Sequence, residues 1–186
     1  MEIDTFLPKY DYHEVHSANT SASPEATYVA AKELLPSDLS PLVCLMLSIR
    51  ELPAKLLCKP TLKKENERPF LTQLLGEEFM LLADSNQEIV FGLIGQFWKL
   101  TGGASITLKE PQSYLDFNST GYAKVAANLA FRAEGENTIL STETRIWAPD
   151  EKTRKKFAIY WGLISFGSGW IRIMWLNAIK RRAEKV

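Results

Sequence analysis

Between residues 137 and 179 the hydrophobic period changes once, and that change dictates how the second half of the chain can fold. In NTILSTETRIWA, Leu140, Thr142, Thr144 and Ile146 alternate with Ser141, Glu143, Arg145 and Trp147, so the segment reads as a strand with two unlike faces. Beyond Pro149 and Asp150, a helix-start pair, the spacing becomes helical. Phe157, Tyr160, Trp161 and Ile164, then Ile171, Met174, Trp175, Ala178 and Ile179, recur every three or four positions. A half-apolar strand followed by an amphipathic helix is satisfied when the helix covers the sheet to which the strand belongs.

The upstream sequence supplies the rest of that sheet. YDYHEVHSAN (10–19) reads as a first strand, and Ser23-Pro24-Glu25 opens a helix that Pro36 ends. LVCLMLSIRELPAKLL predicts a second, mostly apolar helix divided at Pro53. CKPTLKKENERP is a polar connection and PFLTQLLG a further short helix. From Glu77 the period is two. EEFMLLAD and EIVFGLIGQFWKL read as strands joined at Ser85-Asn86-Gln87, ASITLKEP as another after the turn at Gly102-Gly103, and PQSYLDFNST as a loose connection. GYAKVAANLAFRAE then pairs with NTILSTETRIWA in a hairpin turning at Gly135-Glu136-Asn137. Gly92 and Gly95 lie inside a strand with no G-K-[ST] after them. They point to a bend or bulge in a sheet that curves around the last helix, not to a phosphate loop. Gly167-Ser168-Gly169 predicts a kink or break in that helix.

Bulk properties exclude several classes. The chain has 186 residues, 46% hydrophobic and 24% charged, which fits one folded domain over 1–186. Lys+Arg and Asp+Glu both number 22, so there is no net field of the kind nucleic-acid binders use. MEIDTFLPKYDY has no basic region followed by an apolar core, and two cysteines, Cys44 and Cys58, do not make a disulfide scaffold. A cytoplasmic location follows as the expectation. The stretch 157–179 is long enough to span a bilayer, but Arg172, Asn177 and its amphipathic spacing argue against spanning.

Three stretches carry a family resemblance. YDYHEVHSANTSASPEATYVAAKEL is similar to the opening strand and A-x-P-E helix start of the START-like, helix-grip (SRPBCC) superfamily. EIVFGLIGQFWKL resembles a central strand of one bacterial branch, and STETRIWAPDEKTRKKFAIYWGLI through WIRIMWLNAI resembles that branch's last strand and closing helix. The resemblance implies an α+β, helix-grip fold, a curved antiparallel sheet wrapped around a long C-terminal helix; the helical insertion read after the first strand, near 41–75, is larger than that family's minimal helix pair. The resemblance also implies an apolar pocket between sheet and helix, and it is silent on catalysis, because carriers, regulators and enzymes share the scaffold.

Candidate site residues follow from composition and place. Trp98, Tyr122, Phe157, Tyr160, Trp161 and Met174 read either as core or as the lining of a pocket, facing a strand made small by Ala123, Ala126, Ala127 and Ala130. Gln96, Asn128, Glu143, Arg145 and His16 are the polar groups that could orient a ligand. Glu143 and Arg145 share one strand face, and parity does not say whether that face looks inward. His13 and His16 fall on opposite strand faces, so neither a metal site nor a cofactor site is read. KTRKK (152–156) and KRR (180–182) flank the last helix as solvated surface or as a transient membrane-surface contact. The leading expectation is a non-enzymatic protein that carries or senses a small apolar molecule or lipid. The alternatives are a cyclase-, dehydratase- or hydrolase-like enzyme using His16 or Glu143, and an interaction module without a cavity.

Overall fold

The computed structural model describes residues 1–39, 67–77, 79–99 and 104–185. The expected apolar helix at 42–57, with Cys44, Pro53 and Cys58, lies outside them. Among the described residues the order is α1 (Ile3–Phe6), β1 (Tyr12–Thr20), α2 (Pro24–Glu33), a single 3-10 turn (Pro36–Asp38), α3 (Phe70–Glu77), β2 (Met80–Asp84), β3 (Glu88–Gly95), β4 (Ser105–Ile106), α4 (Pro111–Asp116), β5 (Ala123–Glu134), β6 (Asn137–Trp147) and α5 (Glu151–Ala183). The chain is therefore α+β, with a helical insertion after the first strand and one long C-terminal helix.

The strands form one antiparallel sheet in the order β1-β6-β5-β3-β2, with β4 added to the far end of β3. Ala123–Glu134 and Asn137–Trp147 fold back on each other as the alternating pattern requires, and β1 pairs with β6 from Tyr12↔Ile146 to Thr20↔Thr138. Pairing fixes the faces. Tyr12, Glu14, His16 and Ala18 share the inner face with Leu140, Thr142, Thr144 and Ile146. His13 shares the outer face with Glu143, Arg145, Ala126 and Asn128.

Helix α5 lies on the inner face. Asp150 caps it: its carboxylate accepts from Thr153 N at 2.8 Å and from Thr153 Oγ1 at 2.6 Å. The helix runs unbroken through Gly167-Ser168-Gly169, where an interruption was expected. Gly169 is there for closeness: a methyl placed on it would stand 2.5 Å from Glu14 Oε1 and 3.1 Å from His16 Nε2 of β1. The second half of α5 packs Trp175, Leu176, Ala178 and Ile179 with α2, Leu71, Phe91, Leu129 and Leu140 in the main core. The first half packs Phe157 with Ala123 and Ile146, and Tyr12, Trp98 and Trp161 gather around it.

Three further departures concern the sheet and its outer face. PQSYLDFNST is not loose throughout, because Pro111–Asp116 forms α4, whose Tyr114 is fully buried on the outer face. Gly92 answers to that ring: a methyl there would lie 2.8 Å from Tyr114 Cε2 and 2.7 Å from Leu82 Cδ1. Strand β3 keeps register with β5 from Glu88↔Ala130 to Gly95↔Ala123. The irregularity falls instead on β2, between Leu81 and Ala83. The strand expected to reach Leu100 ends at Gly95, where the Phe97 ring folds back over the glycine.

Candidate functional site

The space between α5 and the inner face of the sheet contains polar groups that the surrounding protein does not satisfy. Glu14 and His16, two residues apart on β1, are joined by a 2.8 Å contact between His16 Nε2 and Glu14 Oε1, while Glu14 Oε2 is buried without a partner. Opposite them, Arg172 reaches down from α5 and donates from one terminal nitrogen to Thr142 Oγ1 at 3.2 Å; its Nε is buried and unpaired. Thr144, the register partner of Glu14, has an unpaired hydroxyl, and Trp175, one helical turn beyond Arg172, has an unpaired indole N–H. Burial lowers the Arg172 pKa to about 10 even though Glu14 opposes the shift.

Buried polar atoms are normally hydrogen-bonded, and each orphan costs about 1–3 kcal/mol. Three of these atoms are single-purpose. Arg172 Nε and Trp175 Nε1 can only donate, and ionised Glu14 can only accept. A partner that satisfied all three would accept from one side and donate to the other.

The sheet is modified behind this cluster. Pairing of β5 with β6 runs from Lys124↔Trp147 to Ala127↔Thr144 and resumes at Ala130↔Ser141. In the interval the Asn128 side-chain oxygen accepts the Glu143 N–H at 2.7 Å, and the Asn128 carbonyl accepts the Thr142 hydroxyl at 2.7 Å. Thr142 therefore ties Arg172 to the opened ladder.

The outer face holds a second network, and here the polar atoms are largely paired. Glu88, 4% exposed, accepts Glu2 N at 2.6 Å, Ile3 N at 3.2 Å and Asn128 Nδ2 at 2.6 Å, so one carboxylate caps α1 and anchors the opened ladder. Glu143 Oε1 accepts from Arg145 Nε at 2.5 Å and lies 2.7 Å from His13 Nε2. Arg145 also reaches Asp4 at 2.8 Å and the Leu7 carbonyl at 3.1 Å, beneath the Tyr10 ring. Burial works against the Arg145 charge, but Glu143 and Asp4 outweigh it and hold its pKa above the ordinary value. This face is a fastening for residues 1–10.

At the start of α5 an open hollow of about 260 Å³ is lined by Gln96, Trp98, Lys99, Gly121, Asp150 and Lys156, among others. Gln96 Nε2 donates to the Gly121 carbonyl at 2.9 Å, and Gly121 N donates to Asp150 at 2.8 Å. The Thr153 hydroxyl, the Gly121 N–H and the Thr153 N–H together hold the Asp150 pKa down to about 2. Trp98 closes the inner wall, edge-on to Phe157 at 6.3 Å, and Phe157 stacks on Trp161 at 6.0 Å.

The sequence-predicted residues therefore separate into groups. Gln96 and Trp98 line the hollow, and Phe157, Tyr160 and Trp161 form the aromatic rank beside it. Asn128, Glu143 and Arg145 lie on the face away from α5, and Tyr122 packs with Phe117 in the outer cluster. Met174 packs against the main core. The four alanines divide as well: Ala123 and Ala127 face α5, whereas Ala126 joins the outer cluster and Ala130, paired with Glu88 and Ser141, shares its face. Sequence reasoning missed Glu14 and Arg172. The available signal was an arginine between Trp161 and Trp175 on the apolar stripe of the last helix, with a carboxylate two residues before His16.

Among the described residues no three His, Cys, Asp or Glu side chains come together to hold a metal ion, and no helix is long and apolar enough to cross a membrane. No family model matches the chain, and no curated protein matches it. Solved structures similar to it include TTHA0849 from Thermus thermophilus, 11% identical over 92% of this chain and 97% of that one, with a TM-score of 0.31. Ara h 8.0201 is 9% identical over 94% of this chain and 99% of the other, with a TM-score of 0.30. Likenesses of that size say nothing about function.

Proposed function

We propose that this chain is a single helix-grip domain spanning residues 1–186. On this reading it is a cytoplasmic, non-enzymatic protein that holds a small amphipathic molecule between the inner face of the sheet and α5. The observation that carries the reading is the set of buried, unpartnered polar atoms on Glu14, Thr144, Arg172 and Trp175, gathered on the faces that sheet and helix turn toward each other. Their chemistry selects a polar head with an acceptor for Arg172 and Trp175 and a donor for Glu14, such as a hydroxyl beside a carboxylate. Tyr160 and Trp161, both partly buried, offer apolar surface for the remainder of the molecule, at about 25 cal/mol per Å² buried. The hollow at Gln96 and Trp98 opens beside this aromatic rank, at the start of α5.

The test is displacement of the fluorescent probe anilinonaphthalene sulfonate by α-hydroxydodecanoic acid and by its methyl ester. The acid is expected to bind at least about tenfold more tightly than the ester, the worth of one charge-assisted hydrogen bond. Arg172→Met is expected to erase that preference. Equal binding of acid and ester, or a preference that survives Arg172→Met, overturns the reading.

A further inference from the structure

The inner face of α5 is occupied by the sheet, whereas its outer face carries a second apolar stripe. Ile159, Leu163, Phe166, Trp170 and Ile173 alternate at spacings of four and three, so they form one line along the helix. They are 73%, 78%, 86%, 48% and 41% exposed. At about 1.5 Å per residue the line is roughly 21 Å long. Large apolar side chains scattered singly need no explanation, but five in register on one rigid element do.

The ends of the same line are cationic. One turn before Ile159 come Lys155 and Lys156, with Lys152 a turn earlier. Beyond Ile173 the line passes Asn177 and reaches Lys180 and Arg181. Lys155 is tied to Glu151 at 2.7 Å, but Lys152 and Lys156 have no acidic partner among the described residues. An apolar centre with positive ends on one helical face is the pattern that lies in the plane of an anionic lipid surface, with the rings among the acyl chains and the lysines at the phosphates. Self-association fits less well. An antiparallel pair centred on Phe166 would set Lys152 against Lys180, and a parallel pair would set each lysine against its own copy.

We infer that the outer face of α5, from Lys152 to Arg181, is a docking surface for anionic membrane. The experiment is co-sedimentation of the full chain with vesicles of phosphatidylcholine alone and with phosphatidylserine added. Each basic side chain near an anionic surface is worth about a fivefold gain in partitioning. Lys152, Lys156 and Arg181 together therefore predict a preference of about a hundredfold for the anionic vesicles, lost at high salt. Phe166→Asp and Leu163→Asp, both at exposed positions, are expected to abolish binding with unchanged far-UV circular dichroism. The blue shift of tryptophan emission on binding is expected to shrink in Trp170→Phe while sedimentation persists. Absence of binding to anionic vesicles, or binding unaffected by Phe166→Asp, overturns the inference. So does a lipid-free dimer that Phe166→Asp dissociates, which would assign the stripe to a second copy.

Discussion

Replacing Arg172 with methionine should make the ligand-free protein more stable, although it deletes a charged side chain from the interior. A guanidinium whose pKa is pushed down to about 10 remains charged at a cost of roughly 3 kcal/mol, at about 1.36 kcal/mol for each pH unit. Burial is the cause, and the attraction of Glu14 is already included in the net value. Arg172 recovers part of this through its 3.2 Å bond to Thr142, about 1 kcal/mol. Methionine keeps most of the apolar stem and removes the charge, which leaves a net gain of about 2 kcal/mol, or roughly 4–8 °C in Tm for a chain of this size. The sign with pH follows from the depressed pKa. The native state disfavours the proton relative to the unfolded chain, so the penalty is complete well below pH 10 and relieved only as pH rises above it. The Tm difference between Arg172→Met and the parent should therefore be flat across neutral pH. Thermal unfolding by circular dichroism at several pH values measures it. A variant less stable than its parent by about 1 kcal/mol or more would show that Arg172 holds the fold together, and would refute the reading of its unsatisfied nitrogen as a site kept for a ligand.

Two other perturbations probe the frame around the site. Glu88→Ala removes three hydrogen bonds to one buried carboxylate and orphans Asn128 Nδ2; it should destabilise the chain by about 3–5 kcal/mol, and amide exchange should show residues 1–8 released first. Asp150→Ala removes a carboxyl held near a pKa of 2, whose stabilising contribution is present above its ordinary value of 3.8 and lost as pH falls toward 2. Acid titration of the variant should lack that portion of the stability loss, and equal slopes in parent and variant would refute the capping role.

The parts of the fold readable from sequence are those whose pattern repeats over many residues. The hairpin of β5 and β6 alternates over its length, and α5 repeats its apolar positions over most of its 33 residues, so both were legible. Elements that depend on distant partners were not. Helix α1 is four residues long, and its first N–H groups are satisfied by Glu88, 85 or more positions away in sequence. Helix α4 has only Pro111 as a start signal, and the glycine that accommodates its Tyr114 is on another strand. The meaning of Gly169 depended on β1 approaching α5, which no local signal carries. Site residues divide in the same way. Parity placed Glu143 and Arg145 together but could not choose their face, because the outer face is buried by residues 1–10. Glu14 and Arg172 are far apart in sequence and meet only when α5 closes on β1.

The most direct test is a crystal structure of the protein with α-hydroxydodecanoic acid. The expected result is a head group between sheet and helix, accepting from Arg172 Nε and donating to Glu14, with the chain running toward Trp161. A structure in which α5 closes fully on the sheet, with Arg172 Nε, Thr144 and Trp175 satisfied by other protein groups and the acid absent, would rule out a ligand site between sheet and helix.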